Sequence, residues 1–425
     1  MLSRVAVVFA LLVLSATAHG AEPRTLRTTA VEDEAHAAEN VRFEPGQGLR
    51  VSSDDGDFSL DTRLRAQFLW SPVQRWEPTS SELEHRFEIR RARLQFDGHA
   101  FGPETHYKLE LAFSPRDLGI VDGVVQNSPL LSWYVELGQS RDFTVRMGQY
   151  KIPYSRQRVA SSGNLQLVDR SLANGEFNRD RDIGLDLRSE DLGGLDRLRY
   201  YVGAYMGEGR DLGGSAVTPD FSLLYLARLE WLPLGDFDDY TEGDLERRET
   251  AKLSVGAAYA FHDDAQRLRG VLGERAADGG TTDYHAANLD YAFKLRGFSS
   301  TGELHWREGT RTAGSAVDGS GNPLAVVAPR NGLGWHLQCG YVFDGQPLEL
   351  AARYAGVRRV GLADPGDLSD TDGFTSLERE DEAGIGLSYY WAGHSYKLQG
   401  DAFHRWRSGL LRGETVYRVQ LQLGL

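Results

Sequence analysis

Apolar and charged residues alternate along most of the chain, with the period of two that is typical of β-strands. In the segment that follows Arg91, the apolar residues Ala92, Leu94 and Phe96 fall on one face, and the polar residues between them fall on the other. A strand with one apolar and one densely charged face does not fit inside a sandwich core, so it must separate an apolar phase from water. The pattern therefore predicts the wall of a membrane-spanning barrel.

About sixteen segments follow this pattern after residue 57, and the connections between them alternate between short and long. The long connections are 71–83, 114–129, 151–180, 207–220, 262–282, 308–331, 356–380 and 407–414. Short turns at one end and long loops at the other are typical of outer-membrane barrels, whose closure leaves no strand edge in the lipid. We predict an all-β fold: a transmembrane antiparallel β-barrel of about sixteen strands, with short periplasmic turns and long extracellular loops.

The N-terminus predicts export. Arg4 precedes an apolar run over residues 5–16, and small residues up to Ala21 offer cleavage sites, as in a secretory signal peptide. We predict a signal peptide over 1–21, a periplasmic leader over 22–56 and an outer-membrane barrel over 57–425. Cys339 is the single cysteine of the chain, so the mature protein has no intrachain disulfide.

The charge of the predicted lumen differs in sign from the charge of the whole chain. The net charge is -14, yet the residues that face inward are mostly basic, and most acidic residues belong to loops and turns. Cations in a narrow, water-filled lumen select anions. The candidate anion pathway consists of Arg63, Arg65, Arg91, Arg93, Lys108, Arg146 and Arg228. The alternative is that inward carboxylates neutralise these side chains in structural ladders across the wall.

The third long loop, 151–180, is the candidate constriction. Its basic residues are Lys151, Arg156, Arg158, Arg170 and Arg179. By its length alone this loop fits either of two placements, folded into the lumen or laid over the rim.

One connection, 232–250, is long where a short turn is due. It carries Asp236, Asp238 and Asp239, which fit either a Ca²⁺ cluster or a solvated acidic turn. We assign no metal site and no cofactor to the chain.

Several segments resemble the recurring blocks of the phosphate-selective porin O and P family. They are Phe87-Glu88-Ile89-Arg90-Arg91-Ala92-Arg93-Leu94, Met147-Gly148-Gln149-Tyr150-Lys151-Ile152-Pro153-Tyr154 and Arg179-Asp180-Arg181-Asp182-Ile183-Gly184-Leu185. Later blocks similar to those of the family are Val202-Gly203-Ala204-Tyr205-Met206-Gly207-Glu208-Gly209 and Ala227-Arg228-Leu229-Glu230-Trp231-Leu232-Pro233. The resemblance implies a trimeric outer-membrane channel for phosphate or other anions. The chain departs from such barrels at its last residue, Leu425, where they usually end in Phe or Trp.

The expected function is passive, anion-selective uptake, with phosphate or a related oxyanion as the leading candidate. A general non-selective porin is the alternative within the same class, and a barrel enzyme such as a lipase or protease is the alternative from another class. The sequence contains no Walker loop and no His-Glu-x-x-His motif, so no catalytic residue is assigned. The expected partners are membrane lipid, small anions and two further copies of the chain, and no nucleic acid.

Overall fold

The computed structural model describes residues 40–76, 81–211, 222–360, 377–407 and 413–425. Within these ranges sixteen antiparallel strands close into a barrel, which confirms the predicted fold, and a short two-stranded hairpin precedes them. The strands are β1 (Val41–Glu44), β2 (Gly48–Ser52), β3 (Ser59–Trp76), β4 (Ser81–His99), β5 (Thr105–Ala112), β6 (Leu130–Ser140), β7 (Phe143–Lys151), β8 (Arg181–Ser189), β9 (Leu198–Tyr205), β10 (Leu224–Trp231), β11 (Lys252–Ala265), β12 (Thr281–Leu295), β13 (Phe298–Thr312), β14 (Gly332–Val342), β15 (Leu348–Arg359), β16 (Glu380–Ala392), β17 (Tyr396–Trp406) and β18 (Gly413–Gly424).

The helices of the described ranges are short and lie in loops. They are α1 (Pro115–Leu118), α2 (Arg156–Val159) and α3 (Leu172–Phe177), with a single 3-10 turn at Leu192–Gly194. Among the described residues, no helix combines the length and the apolar character that a membrane crossing requires.

The barrel closes because its last strand pairs with its first. Each strand from β3 to β18 pairs antiparallel with the next one, and β18 returns to β3 with Leu421 opposite Phe68 and Gln422 opposite Gln67. Every strand between the two therefore has a hydrogen-bonded neighbour on each side, which is the condition for a sheet in an apolar phase.

The alternation of the sequence becomes the two faces of the wall. Along β10, Leu226 and Arg228 are buried in the interior, whereas Leu229 and Trp231 point outward and are exposed. The exposed apolar residues form the outer surface, and the buried inward residues include many charged ones. This distribution of apolar and charged residues is the inverse of that in a soluble protein, as a barrel with lipid outside and water inside requires.

A β-bulge interrupts the alternation on β4. Gln67 of β3 lies opposite Arg91, but the next residue, Phe68, lies opposite Ile89, so Arg90 is the extra residue. Arg90 and Arg91 both reach the same carboxylate, that of Asp169 in the lumen. The bulge therefore adds one more arginine to the inner face.

The prediction of a loop over 71–83 is wrong, because most of these residues lie in strands. β3 and β4 continue as a paired hairpin to Trp76 and Ser81. A hairpin that extends past the apolar phase has no need of an apolar face, so its alternation is hard to recognise in the sequence. Parts of the predicted loops 207–220, 356–380 and 407–414 lie outside the described residues.

The end of the predicted leader forms strand structure. β1 and β2 pair with each other, and β2 pairs with the start of β3, from Leu49 opposite Thr62 to Ser52 opposite Ser59. The predicted signal peptide, 1–21, and residues 22–39 lie outside the described residues.

The loop between β7 and β8, residues 152–180, folds into the lumen and is called the inner loop here. It reaches the far wall of the barrel, where Ser155 Oγ donates to Glu303 Oε2 at 2.7 Å and the Val168 amide donates to Asp401 Oδ2 at 2.9 Å. Leu167 also packs against the far wall, in one cluster with residues of β15 and β17. Of the two placements that the sequence left open, the structure has the inward one.

The connection between β10 and β11, residues 232–251, also folds inward and is called the inner turn here. Its Glu242 amide donates to the Asn164 carbonyl at 3.0 Å, and the Glu242 carboxylate accepts from the Gln166 amide at 3.0 Å. Asp239 is buried and pairs with Arg156, so the prediction of a solvated acidic turn is wrong for this residue. The acidic residues of the inner turn serve as counter-ions because the turn faces a basic lumen. The described residues contain no cluster of His, Cys, Asp or Glu that could hold a metal ion.

Candidate ion pathway

Two of the cavities in the described part of the barrel lie on opposite sides of the inner loop. The lower cavity, about 800 Å³, opens toward the short turns and is bounded by residues such as Gly46 and Ser395. The upper cavity, about 340 Å³, opens toward the long loops and is bounded by residues such as Asn127 and Leu272. Both cavities border the wall formed by β4, β7 and β8, and the inner loop and the inner turn fill part of the lumen beside them.

Three residues line both cavities, and all three are cations. They are Arg93 on β4, Lys151 at the end of β7 and Arg181 at the start of β8. These three residues form the boundary that the two cavities share, which is called the neck here. A solute that travels from one cavity to the other passes them.

Both cavities are strongly basic. The lower one is lined by nine cationic side chains and three carboxylates: Arg63, Arg65, Arg93, Lys108, Arg146, Lys151, Arg181, Arg248 and Lys294 against Glu110, Asp238 and Glu246. The upper one has the same balance: Arg91, Arg93, Arg116, Lys151, Arg158, Arg170, Arg181, Arg210 and Arg267 against Asp117, Asp180 and Glu208. The pathway is therefore positive along its length, although the chain as a whole is negative.

The two neck arginines share one carboxylate. Arg93 Nη1 lies 3.2 Å from Glu110 Oε1, and Arg181 Nη2 lies 2.9 Å from Glu110 Oε2. Arg93 also pairs with Asp117 of α1, at 3.3 Å. Ser132 Oγ accepts from Arg181 Nε at 2.9 Å and thereby fixes the direction of that guanidinium group.

The third neck cation has no such partner. Lys151 Nζ donates to the carbonyl oxygens of Val159 at 2.9 Å and Ala160 at 3.0 Å. Arg65 and Arg170 are held in a similar way, by serine hydroxyls and by backbone carbonyls respectively. In the described part of the chain, none of these three cations has a carboxylate oxygen within 4.0 Å. Their charges are therefore not locally neutralised, and all three line the cavities.

Asp169 ties the inner loop to the near side of the barrel. Arg90, Arg91, Arg116 and Arg418 all lie within ion-pair distance of this carboxylate, the last three at 3.5 to 3.8 Å. Burial alone would raise the pKa of the Asp169 carboxyl, but the four guanidinium groups outweigh it and hold the pKa well below its ordinary value. The loop is thus anchored on the same wall that carries the pathway cations.

Six of the seven predicted pathway residues line at least one of the two cavities. Arg63, Arg65, Arg93, Lys108 and Arg146 line the lower cavity, and Arg91 lines the upper one. Of the predicted constriction residues, Lys151 lies in the neck, and Arg158 and Arg170 line the upper cavity.

Arg156, Arg179 and Arg228 line neither cavity. Arg156 and Arg228 are buried in one network around Asp290, whose carboxylate lies 2.7 Å from Arg156 Nε and 2.6 Å from Arg228 Nη1. Arg179 is fully buried and donates to the Arg269 carbonyl at 3.0 Å. For Arg228 this is the alternative that the sequence left open, neutralisation by an inward carboxylate. Arg156 and Arg179 were predicted to line a constriction, and in the structure they are buried away from both cavities.

Six cations that line the two cavities were not predicted from the sequence as site residues: Arg116, Arg181, Arg210, Arg248, Arg267 and Lys294. Arg181 had a recognisable signal, since it is the first residue of the alternating segment after the inner loop. Arg116, Arg210 and Arg267 lie in long loops and Arg248 lies in the inner turn, and the period of two in the strands does not predict where such residues lie. Lys294 lies on β12.

Comparison with known proteins identifies the family. The family model for phosphate-selective porin O and P matches residues 63–331, which is more than half of the chain. An uncharacterised protein of Aquifex aeolicus (strain VF5) is 23% identical over 303 residues, which is 66% of this chain and 64% of that relative. The chain therefore spans less than two thirds of the length of that curated relative.

Solved structures with the same fold are outer-membrane channels. The outer membrane channel DcaP of Acinetobacter baumannii superposes with a TM-score of 0.56 at 12% identity, over 89% of this chain and 100% of that one. The anion-selective porin from Comamonas acidovorans gives a TM-score of 0.51 at 12% identity, over 87% and 100% of the two chains. A loop-deletion mutant of OmpT from Vibrio cholerae gives 0.53 at 10% identity, over 87% and 100%.

These identities establish the fold alone, while the family follows from the match over residues 63–331. The closed barrel, its basic interior and that match agree with one another, and they indicate a channel of the bacterial outer membrane rather than an enzyme. The chain belongs to the phosphate-selective porin O and P family and is an outer-membrane porin.

Proposed function

We propose that this porin is an anion-selective channel for the passive uptake of phosphate or a related oxyanion. The observation that carries the proposal is the neck, where every residue that lines both cavities is a cation: Arg93, Lys151 and Arg181. A passing anion is attracted there, and a passing cation is repelled. Low-dielectric walls strengthen the effect of these fixed charges on ions in transit.

The chemistry of the neck suits an oxyanion. A guanidinium group presents a planar fork of donors that matches two oxygens of a phosphate, and an ammonium group adds a compact charge. Cations continue into both cavities, so an anion that leaves the neck meets further weak sites. Such a series of sites permits flux, whereas a single tight site would stop it. The family description and the neighbour described as an anion-selective porin support the same proposal.

The test is electrical. The purified porin is inserted into a planar bilayer, and the zero-current potential is measured under a KCl gradient, followed by titration with inorganic phosphate. We expect the potential of an anion-selective pore and a chloride current that phosphate blocks. Cation preference would overturn the proposal. Anion preference without phosphate block would indicate a general anion porin, and the absence of preference would indicate a non-selective one.

Lys151→Gln tests the neck itself, and Lys252→Gln is its matched control. Each ammonium group donates to two backbone carbonyls, Lys151 at 2.9 and 3.0 Å and Lys252 at 3.2 and 3.0 Å, but only Lys151 lines the cavities. We expect K151Q to lower anion selectivity and weaken phosphate block, and K252Q to leave both as in the wild type. Equal effects of the two substitutions would show that the neck is not the selective region.

We propose a homotrimer in the outer membrane, on the basis of the family resemblance. Native mass spectrometry in mild detergent is expected to give three copies of the chain. A stable monomer under the same conditions would overturn this assembly.

We also propose that residues 1–21 are removed on export and that 22–56 precede the barrel as a periplasmic segment. N-terminal sequencing of the protein from outer membranes is expected to begin near residue 22. Retention of Arg4 in the mature chain would contradict the proposal.

A further inference from the structure

Charged side chains lie on the outer face of β15 and β16, at the end of the barrel that carries the long loops. Arg358 of β15 lies opposite Leu333 of β14. Asp381 of β16 lies opposite Gly356, two residues before Arg358. Residues directly opposite each other in an antiparallel pair point to the same side of the sheet. Leu333 is on the same side of β14 as Leu337, which is exposed on the outer surface, so Arg358 and Asp381 also point away from the lumen.

Two arginines of this face share one carboxylate. Asp381 Oδ1 lies 2.6 Å from Arg358 Nη2, and Asp381 Oδ2 lies 3.4 Å from Arg379 Nε. The hydroxyl of Tyr354 also donates to Asp381, at 2.8 Å. The carboxylate is buried, whereas the side chains of Arg358 and Arg379 are 25% and 65% exposed. Arg358, Arg379 and Asp381 are called the outer patch here, and together they have one positive charge in excess.

The outer patch lies at the edge of the apolar band. The guanidinium carbon of Arg358 lies 4.9 Å from the ring centre of Trp335, and the rings of Tyr354 and Trp406 lie 6.5 Å apart. Tryptophan and tyrosine are enriched where the apolar core of a membrane meets its headgroups. Toward the short turns the same face is apolar, with three exposed side chains on β14, β15 and β16: Leu337, Leu350 and Ile385. The outer patch therefore lies at the level of the headgroups of the outer leaflet.

We propose that the outer patch binds the phosphate group of a lipid in the outer leaflet of the membrane. A guanidinium fork matches the oxygens of a phosphate, and Asp381 offsets only one of the two positive charges. Arg379 has the more exposed guanidinium group and makes the main contact. Arg358 is fixed in place, because it also donates to two backbone carbonyls at 2.7 and 3.3 Å. The acyl chains of the same lipid lie against the apolar face below.

The position of the outer patch favours a lipid phosphate over free phosphate. A lipid is held at this level by its acyl chains, so its phosphate group meets the arginines at a high effective concentration. Free phosphate has to be captured from water, where salt screens exposed charges. The wall of the barrel separates the outer patch from the neck, so this site is independent of the proposed ion selectivity.

Native mass spectrometry in mild detergent tests the proposal, with lipid A as the added lipid. Lipid A carries phosphate groups on a sugar headgroup, and a dephosphorylated form with the same acyl chains is its control. We expect the wild type to bind lipid A more tightly than the dephosphorylated form. The double variant R358Q/R379Q should lose at least about tenfold in affinity for lipid A, which corresponds to about 1.4 kcal/mol. Unchanged affinity in this variant, or equal binding of the two lipids by the wild type, would overturn the proposal.

Arg141→Gln is the matched control. Arg141 is 55% exposed and pairs with a single carboxylate, that of Asp142 at 3.0 Å, but it lies in the short turn between β6 and β7. R141Q should bind lipid A as the wild type does. An equal loss in R141Q would show a general effect of surface charge and would refute a site at the outer patch.

Arg379→Gln alone covers the case in which the double variant fails to fold, because this side chain is mostly exposed. It should also weaken the binding of lipid A, and wild-type affinity in R379Q would contradict the proposal. Dissociation of a lipid-free oligomer in R379Q would show that the outer patch joins two copies of the chain, and the lipid site would then be wrong. Block of the chloride current by inorganic phosphate should be the same in R379Q and the wild type. A changed block would place Arg379 in the ion pathway and would likewise overturn the lipid site.

Discussion

Arg156 offers a sharp test of what the structure adds to the sequence, because the two assign it different roles. The sequence places it among the basic residues of a constriction, whereas in the structure its side chain is 3% exposed and lines neither cavity. Its Nε lies 2.7 Å from Asp290, and its Nη1 pairs with Asp239 of the inner turn. Arg156→Gln should therefore weaken the attachment of the inner loop and leave ion selectivity unchanged.

The size of the effect follows from the partners that remain. Removal of one member of a buried ion pair typically costs about 3–5 kcal/mol, because the other charge stays buried without compensation. Here Asp290 keeps Arg228 at 2.6 Å and Asp239 keeps Arg199 at 2.9 Å, so the lower end of that range applies. A loss of about 3 kcal/mol raises the local opening equilibrium about 150-fold.

Hydrogen exchange of the reconstituted porin measures that opening. Two backbone amides of α2 report the opening. The Val159 amide donates to the Ser155 carbonyl at 3.0 Å, and the Gln157 amide donates to Glu303 Oε1 at 2.6 Å. In R156Q these amides should exchange about 150-fold faster, in proportion to the opening equilibrium. The Val168 amide, bonded to Asp401 at 2.9 Å, serves as the internal control and should keep its protection.

The inner loop should stay in the lumen despite this change, because its other anchors are independent of Arg156. The single-channel conductance and the zero-current potential should therefore stay close to those of the wild type. A clear fall in anion selectivity without faster exchange around α2 would refute the reasoning, since Arg156 would then act on ions and not on the loop.

Three further predictions concern pH, the inner turn and the orientation of the wall. Burial raises the pKa values of the Asp169 and Asp180 carboxyls, but neighbouring arginines outweigh it and lower these pKa values below the ordinary value. The two carboxylates therefore stabilise the inner loop fully above the unfolded pKa of about 4, and this stabilisation is lost only as pH falls below it. The conductance should stay constant from pH 7 to about pH 4, and a step between pH 6 and 5 would contradict this. Replacement of residues 232–251 by a short turn should raise the single-channel conductance, because the inner turn fills part of the lumen, and an unchanged conductance would show that it does not limit the pore. Cys339 points outward and is exposed, so in membranes an apolar maleimide should label it much faster than a charged, water-soluble thiol reagent, and equal rates would place it in water.

The fold could be predicted from the sequence because its cause is local. The two faces of a barrel strand meet lipid and water, so each strand carries the period of two in its own residues. Ala92, Leu94 and Phe96 point outward for this reason, and Arg93 and Gln95 point inward. The bulge on β4 also has a local signal, because the apolar step from Ile89 to Ala92 is three residues long. The basic sign of the lumen followed from the same separation of faces.

The sequence did not determine which inward cations remain available to an ion, because neutralisation depends on residues that are distant along the chain. Arg156 is paired with Asp290, 134 residues away, whereas Lys151, only five residues before it, is held by carbonyl groups. Both are basic residues of the same predicted constriction, and only the folded lumen separates them. Ion pairs act over 3 to 4 Å in space, and the inward fold of the inner loop and the inner turn decides which carboxylates come that close to which arginines. The sequence therefore determines the alternation of apolar and polar residues along the strands, while the neck forms only in the tertiary structure.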